Sequence, residues 1–161
     1  DMYEYRCEID RVVDGDTVDI NIDLGFGVWL NDERVRLMGV DTPESRTSDK
    51  VEKLFGYAAK AFVEAALPAG STQRLSTKKY DSKGKFGRIL GDFLLVGEDG
   101  EVSGKPSQQI SLVDSILQSH NGVVYSAQNK ELIKEQHIAN RAKLVEQGIV
   151  TQEQINEVQG N

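Results

Sequence analysis

Arg34-Val35-Arg36-Leu37-Met38-Gly39-Val40-Asp41-Thr42-Pro43-Glu44 reads as a strand that runs into a tight turn. Polar and apolar residues alternate from Arg34 to Leu37, the period of a strand with one buried face. Leu37, Met38 and Val40 then form a mostly apolar run that suits burial on both faces. Pro43 has no N–H to give to a sheet and biases Thr42 toward extended backbone, so the strand ends there. The turn offers a carboxylate at Asp41, a hydroxyl and a carbonyl at Thr42, and a second carboxylate at Glu44, with Arg36 five residues before Asp41. Acids beside a guanidinium suit metal-assisted attack on a phosphodiester. The same residues also read as a surface arginine, a turn and a helix start.

On the N-terminal side, residues 3–13 carry the β-branched and aromatic content of a strand. Asp14-Gly15 is a hairpin-turn pair, because glycine tolerates positive φ. Residues 17–24 alternate, with Val18, Ile20, Ile22 and Leu24 on one face and Asp19, Asn21 and Asp23 on the other. Residues 25–32 bring the chain round as a wide hairpin or a loop, and Trp29 reads as a packing residue or a surface cover rather than a platform for a base. On the C-terminal side, the period changes at Val51. Leu54, Phe55, Ala58, Phe62, Val63 and Leu67 continue an amphipathic helical stripe that Pro68 and Gly70 stop. Gly56 weakens the first turns by about 1 kcal/mol relative to alanine and moves the expected start later. Residues 73–80 and 88–96 read as the fourth and fifth strands, joined by a turn-rich basic connection, and 101–109 as an exposed loop. Ser111 with Asp114 has the spacing of a capping box before a short helix. Ser126 is the expected cap of a long helix over 127–147, with Leu132, Ala139, Ala142 and Val145 on its inner side. Thr151 with Gln154 opens a last short helix to about Val158.

Five strands, a helix after the third and further helices after the fifth predict an α+β fold. Its core is a five-stranded OB-type β-barrel with three main helices and a short C-terminal helical extension. Residues 1–148 are the expected domain and 149–161 the extension. The 161 residues suffice for one domain with a real core. Hydrophobic residues make up 39% and no apolar run approaches the roughly 20 residues of a membrane helix. The expected state is a monomer, with no membrane partner. The chain begins at Asp1 without an apolar leader and does not set a compartment. Cys7 stands alone, which excludes an internal disulfide and reads as a buried thiol.

The net charge of −7 argues against a protein that coats nucleic acid nonspecifically. The charges are segregated, however. Residues 8–33 hold eight acids against Arg11, and residues 78–88 hold five bases against Asp81. An acidic region for a cation and a basic hairpin for phosphate fit within one domain.

Three segments belong together: Asp14-Gly15-Asp16-Thr17, the run from Arg36 to Glu44, and Phe86-Gly87-Arg88. Their order and spacing resemble the staphylococcal nuclease-like family, the thermonucleases, over residues 11–148. The resemblance implies a calcium-dependent phosphodiesterase that cleaves DNA and RNA, with attack in line, the 5′-oxygen as leaving group and a 3′-phosphate product. It implies Asp16 and Asp41 as carboxylate ligands of Ca2+, with Thr42 binding through its carbonyl. It implies Arg36, Glu44 and Arg88 as catalytic residues. Lys85 and Phe86, and Tyr125 by a looser match, correspond to positions that touch a bound nucleotide. The chemistry of the residue types agrees, since hard cations take oxygen ligands and forked guanidiniums grip phosphate oxygens as lysine does not. The chain departs from the family in being acidic and in carrying longer loops. The competing reading is a non-catalytic OB-fold module that binds nucleic acid or protein. A phosphodiesterase confined to small nucleotides is a third. His120 and His137 read as helix residues in surface or core packing.

Overall fold

The computed structural model describes residues 2–78, 87–94 and 110–160. Strands β1 (Met2–Asp14), β2 (Thr17–Gly25) and β3 (Val28–Leu37) run antiparallel. They are followed by the two-residue β4 (Val40–Asp41), helix α1 (Lys50–Ala66), β5 (Thr72–Lys78) and β6 (Ile89–Leu94). Helix α2 (Leu112–Gln118), strand β7 (Val123–Val124), helix α3 (Lys130–Glu146) and helix α4 (Gln152–Val158) complete the order. The barrel closes in the order β1-β2-β3-β6-β5, with β5 returning to pair antiparallel with β1. The β3–β6 pairing is parallel. This is the expected α+β barrel with three main helices and a short fourth. Among the described residues no helix is long and apolar enough to cross a membrane.

The alternation of β2 sends Val18, Ile20 and Ile22 into the barrel, where they meet Cys7, Val35, Leu75 and Phe93. Leu24 continues the pattern but is 40% exposed, because the β2–β3 hairpin outruns the barrel. Residues 25–32 are therefore hairpin and not loop. Gly25, Phe26 and Gly27 all take positive φ at its tip, and Trp29 pairs with Asp23. The apolar run after Arg36 does not form one continuous buried strand. Leu37 ends β3, Gly39 turns with φ +77°, and Val40–Asp41 leaves the barrel to pair with Val123–Val124.

Helix α1 begins at Lys50, earlier than the glycine suggested. Asp49 caps it by accepting from the Val51 and Glu52 N–H groups, which satisfies donors the first turn leaves open. Phe55, Ala59 and Val63 are its buried stripe. Helix α3 differs more. Its cap is Asn129, not Ser126, and Ala127 has φ +59°. Leu132, Ala139 and Ala142 are exposed, whereas Ile133, Gln136, His137, Asn140 and Arg141 are half-buried and Leu144 is buried. Val145 is half-buried against an apolar cluster as expected, but apolar spacing misplaced the rest of this face, where mostly polar side chains turn inward. A second apolar cluster of Phe55, Leu144 and Val150, with Ile155 against it, seats the ends of α3 and α4 on α1. Thr151 and Gln154 form the expected reciprocal capping box of α4. Asp92 on β6 accepts from the Val113 N–H of α2, tying that helix to the barrel.

Candidate active site

The β1–β2 turn, the end of β3, the 41–46 loop and the start of β6 enclose a cleft of about 330 Å³. Asp16, Arg36, Asp41, Thr42, Glu44 and Arg88 all line it, as do Asp14, Arg34 and Arg46. Arg36 is its centre. Nη1 donates to the Leu37 carbonyl at 2.7 Å and to the Val40 carbonyl at 2.8 Å, so the guanidinium spans the strand break. Nη2 lies 3.5 Å from Asp16 Oδ2 and 3.7 Å from Asp41 Oδ1. These are ion-pair rather than hydrogen-bond distances, so two carboxylates converge on one nitrogen without being bonded to it. Parallel pairing of β3 with β6 sets Arg88, the residue just before β6, beside the end of β3, and both Arg36 and Arg88 line the cleft.

The loop that carries Thr42 and Glu44 is held by acids. Asp16 Oδ2 accepts from the Thr42 N–H at 3.2 Å, Glu52 Oε2 from Glu44 at 3.1 Å, and Asp14 Oδ2 from Ser45 at 3.5 Å. Pro43 has no N–H, so every backbone donor from Thr42 to Ser45 is received by a carboxylate. Three glycines press on the same segment. A Cβ on Gly15 would stand 2.7 Å from Thr42 Oγ1, and one on Gly122 2.8 Å from Val40 Cγ2. On Gly56 it would stand 2.3 Å from the Glu44 carbonyl oxygen. Gly15 does not have the positive φ its Asp-Gly setting suggested; close approach, not turn geometry, is what a side chain there would violate.

Burial against the loop raises the Asp14 carboxyl above its ordinary value, and the Asp16 charge adds to the rise. Glu44 is raised as well, first by desolvation and then by repulsion from Glu52, Asp14, Asp16 and Asp41. Its side chain nevertheless reaches solvent.

A second cavity, of about 670 Å³, opens on the other side of the 41–44 loop, walled by α3. Tyr125 lines it, with its ring centroid 5.9 Å from Arg36 Cζ, so this ring stands where the two spaces meet. Glu44, Asp49 and Glu52 face Lys130, Lys134 and Arg141 across it, a mixed lining that does not favour a polyanion. Lys85 and Phe86 lie outside the described residues. His120 sits in the turn after α2, with φ +64°.

The family model of the staphylococcal nuclease homologues matches residues 34–159. The chain belongs to the staphylococcal nuclease homologue family. It is 38% identical over 93 residues to the "Thermonuclease" of Staphylococcus intermedius, covering 56% of this chain and 49% of that protein. It is 31% identical over 102 residues to "Uncharacterized protein MJ1439" of Methanocaldococcus jannaschii, covering 53% and 46%. With "Endonuclease YhcR" of Bacillus subtilis it shares 30% identity over 98 residues, 56% of this chain but 7% of the relative. The chain thus spans at most about half the length of these relatives. The family match begins at Arg34, so Asp14 and Asp16 lie outside it, and the fold sets them in the cleft beside the matched residues.

Three residues of this staphylococcal nuclease homologue have a place at the site that the linear motifs do not show, and one of them, His137, was expected only in surface or core packing. Arg46 directly follows the motif and lines the cleft. Arg34 lines it too while forked onto Asp19, at 2.8 and 3.1 Å. His137, 96 positions from Asp41, places Nε2 2.7 Å from Asp41 Oδ2. No spacing rule reaches across that separation.

Proposed function

We propose that the chain is a calcium-dependent nuclease that hydrolyses phosphodiester bonds of DNA and/or RNA. The observation that carries this reading is Arg36 Nη2, poised between Asp16 and Asp41 in a cleft shared with Glu44 and Arg88. The donor set suits a hard cation, since Asp16, Asp41 and the Thr42 carbonyl are all oxygen ligands. Thr42 Oγ1 is buried beside them with no hydrogen-bond partner among the described residues. Among those residues no three acidic, histidine or cysteine side chains close into a cage. Two carboxylates and a carbonyl would therefore leave most of a cation's coordination to water and phosphate oxygen. Bound calcium supplies Lewis-acid polarisation of the phosphodiester.

Glu44 is assigned to the attacking water, as proton acceptor or orienting group. Burial and the neighbouring acids raise its affinity for a proton, the direction a proton acceptor needs. As the water oxygen bonds to phosphorus and its proton passes to Glu44 or to solvent, the P–O5′ bond breaks and the departing O5′ takes a proton from solvent, giving a 3′-phosphate and a 5′-hydroxyl. Arg36 and Arg88 face the negative charge that gathers on the non-bridging oxygens, where preorganised donors act most strongly. Arg36 keeps its orientation through that change because two backbone carbonyls hold Nη1. Tyr125 offers a ring face to a neighbouring base.

The test is to incubate the chain with denatured DNA and with RNA, each with calcium and with chelator. Calcium-restricted products are expected. No products in any arm would end the proposal, and tight oligonucleotide binding without products would favour the non-catalytic binding module.

A further inference from the structure

Helix α3 is mostly polar, and its buried apolar residue, Leu144, lies near its C-terminal end. Its remaining hold on the catalytic loop is through polar side chains. Asn140 Nδ2 donates to the Gly122 carbonyl at 3.1 Å, beside the β7 strand that pairs with β4. His137 Nε2 meets Asp41 Oδ2 at 2.7 Å, with its side chain only 13% exposed. A carboxylate is an acceptor, so the imidazole N–H is the donor.

We propose that His137 is a positioning residue for the cation site, holding the Asp41 carboxylate in the orientation that binds calcium. The inference rests on the reading of Asp41 as a calcium ligand and adds a residue from α3 to that site.

The two Asp41 oxygens are made unequal by their surroundings. Oδ2 is committed to His137, whereas Oδ1 faces the cleft 3.7 Å from Arg36 Nη2. Asp41 sits in a two-residue strand, and on one side its neighbour is a glycine-led break in the chain. The carboxylate would otherwise be free to turn about two side-chain torsions. The imidazole removes that freedom before a cation arrives. It also prevents the acid from closing fully onto Arg36, a pairing that would compete with a cation. Groups that hydrogen-bond a metal ligand from behind in this way commonly change metal affinity by about 10–100-fold when removed.

Calcium affinity is measured by calorimetric titration of the free chain, without substrate. His137→Ala is expected to weaken calcium binding about 10–100-fold. His137→Gln, which retains an amide donor of similar reach, is expected to recover part of the loss. Asn140→Ala loosens α3 without touching Asp41 and is expected to leave calcium affinity within about twofold. Thermal melts of each variant report folding separately. Unchanged calcium affinity in His137→Ala would overturn the inference alone, leaving the nuclease reading intact. An equal loss in Asn140→Ala would also overturn it, because seating the helix would then suffice. A wild-type chain that binds no calcium would instead refute calcium dependence itself. A wild type that binds calcium normally but cleaves nothing would refute the nuclease and spare the role of His137.

Discussion

Gly56→Ala is a substitution for which helix propensity and packing predict opposite signs. In an exposed helix interior, alanine in place of glycine stabilises by about 1 kcal/mol. Here the new Cβ would stand 2.3 Å from the Glu44 carbonyl oxygen, 2.4 Å from its carbon and 2.5 Å from the Ser45 nitrogen. All three are backbone atoms, so no side chain can swing aside. Ordinary contact requires the loop or the helix to retreat by roughly 1 Å. Overpacking of this kind costs about 2 kcal/mol, which leaves a net loss of about 1 kcal/mol and a fall in Tm of about 3 °C. The effect on rate is larger. Glu52, one turn before Gly56, receives the Glu44 N–H, so the first turns of α1 grip Glu44 from both sides. Moving that glutamate by roughly 1 Å lowers kcat on the order of 100-fold. Urea melts measure the first quantity, and initial rates at saturating calcium and substrate the second. A variant more stable by about 1 kcal/mol that cleaves at the wild-type rate would refute the close approach and the positioning role drawn from it.

Further outcomes follow from the cleft and from the barrel around it. Arg36→Lys and Arg88→Lys should each lower kcat by about 100- to 1,000-fold in steady-state assays, and a variant with full rate would remove that arginine from the mechanism. Arg36→Lys should also lose about 2 kcal/mol in urea melts, because one ammonium nitrogen cannot both hold the Leu37 and Val40 carbonyls, as Nη1 does, and stand between Asp16 and Asp41, as Nη2 does. Burial raises the Asp92 carboxyl above its ordinary 3.8. Its contribution to stability is therefore complete below that value and is lost as pH rises through the higher folded value. Asp92→Asn should flatten the decline in stability as pH rises above the ordinary carboxylate value, and parallel curves for the two chains would contradict the buried carboxyl's part in it. The Cys7 thiol, buried in the barrel and pushed up to about 12, should resist alkylation until the chain unfolds. Labelling of the native protein at the rate of a free thiol would show that the barrel interior is open.

The sequence by itself determined the barrel. Alternation in residues 17–24 and the stripe from Val51 to Leu67 are local patterns, and each buries one face whatever the rest of the chain does. It also determined which oxygen and guanidinium groups are on offer near Asp41, because the motif is continuous and Pro43 ends its strand. The tertiary structure decided what these groups meet. The inner face of α3 was hidden because polar residues form it, and apolar periodicity carries no information about hydrogen bonds. Gly15 and Gly56 looked like a turn residue and a weak helix position. Their spatial neighbours, Thr42 and Glu44, make them points of close approach. His137 reaches Asp41 only after β7 pairs with β4 and α3 lies down beside them. Periodicity reports which face of an element is dry, but the partner of a polar atom is settled only when distant segments dock.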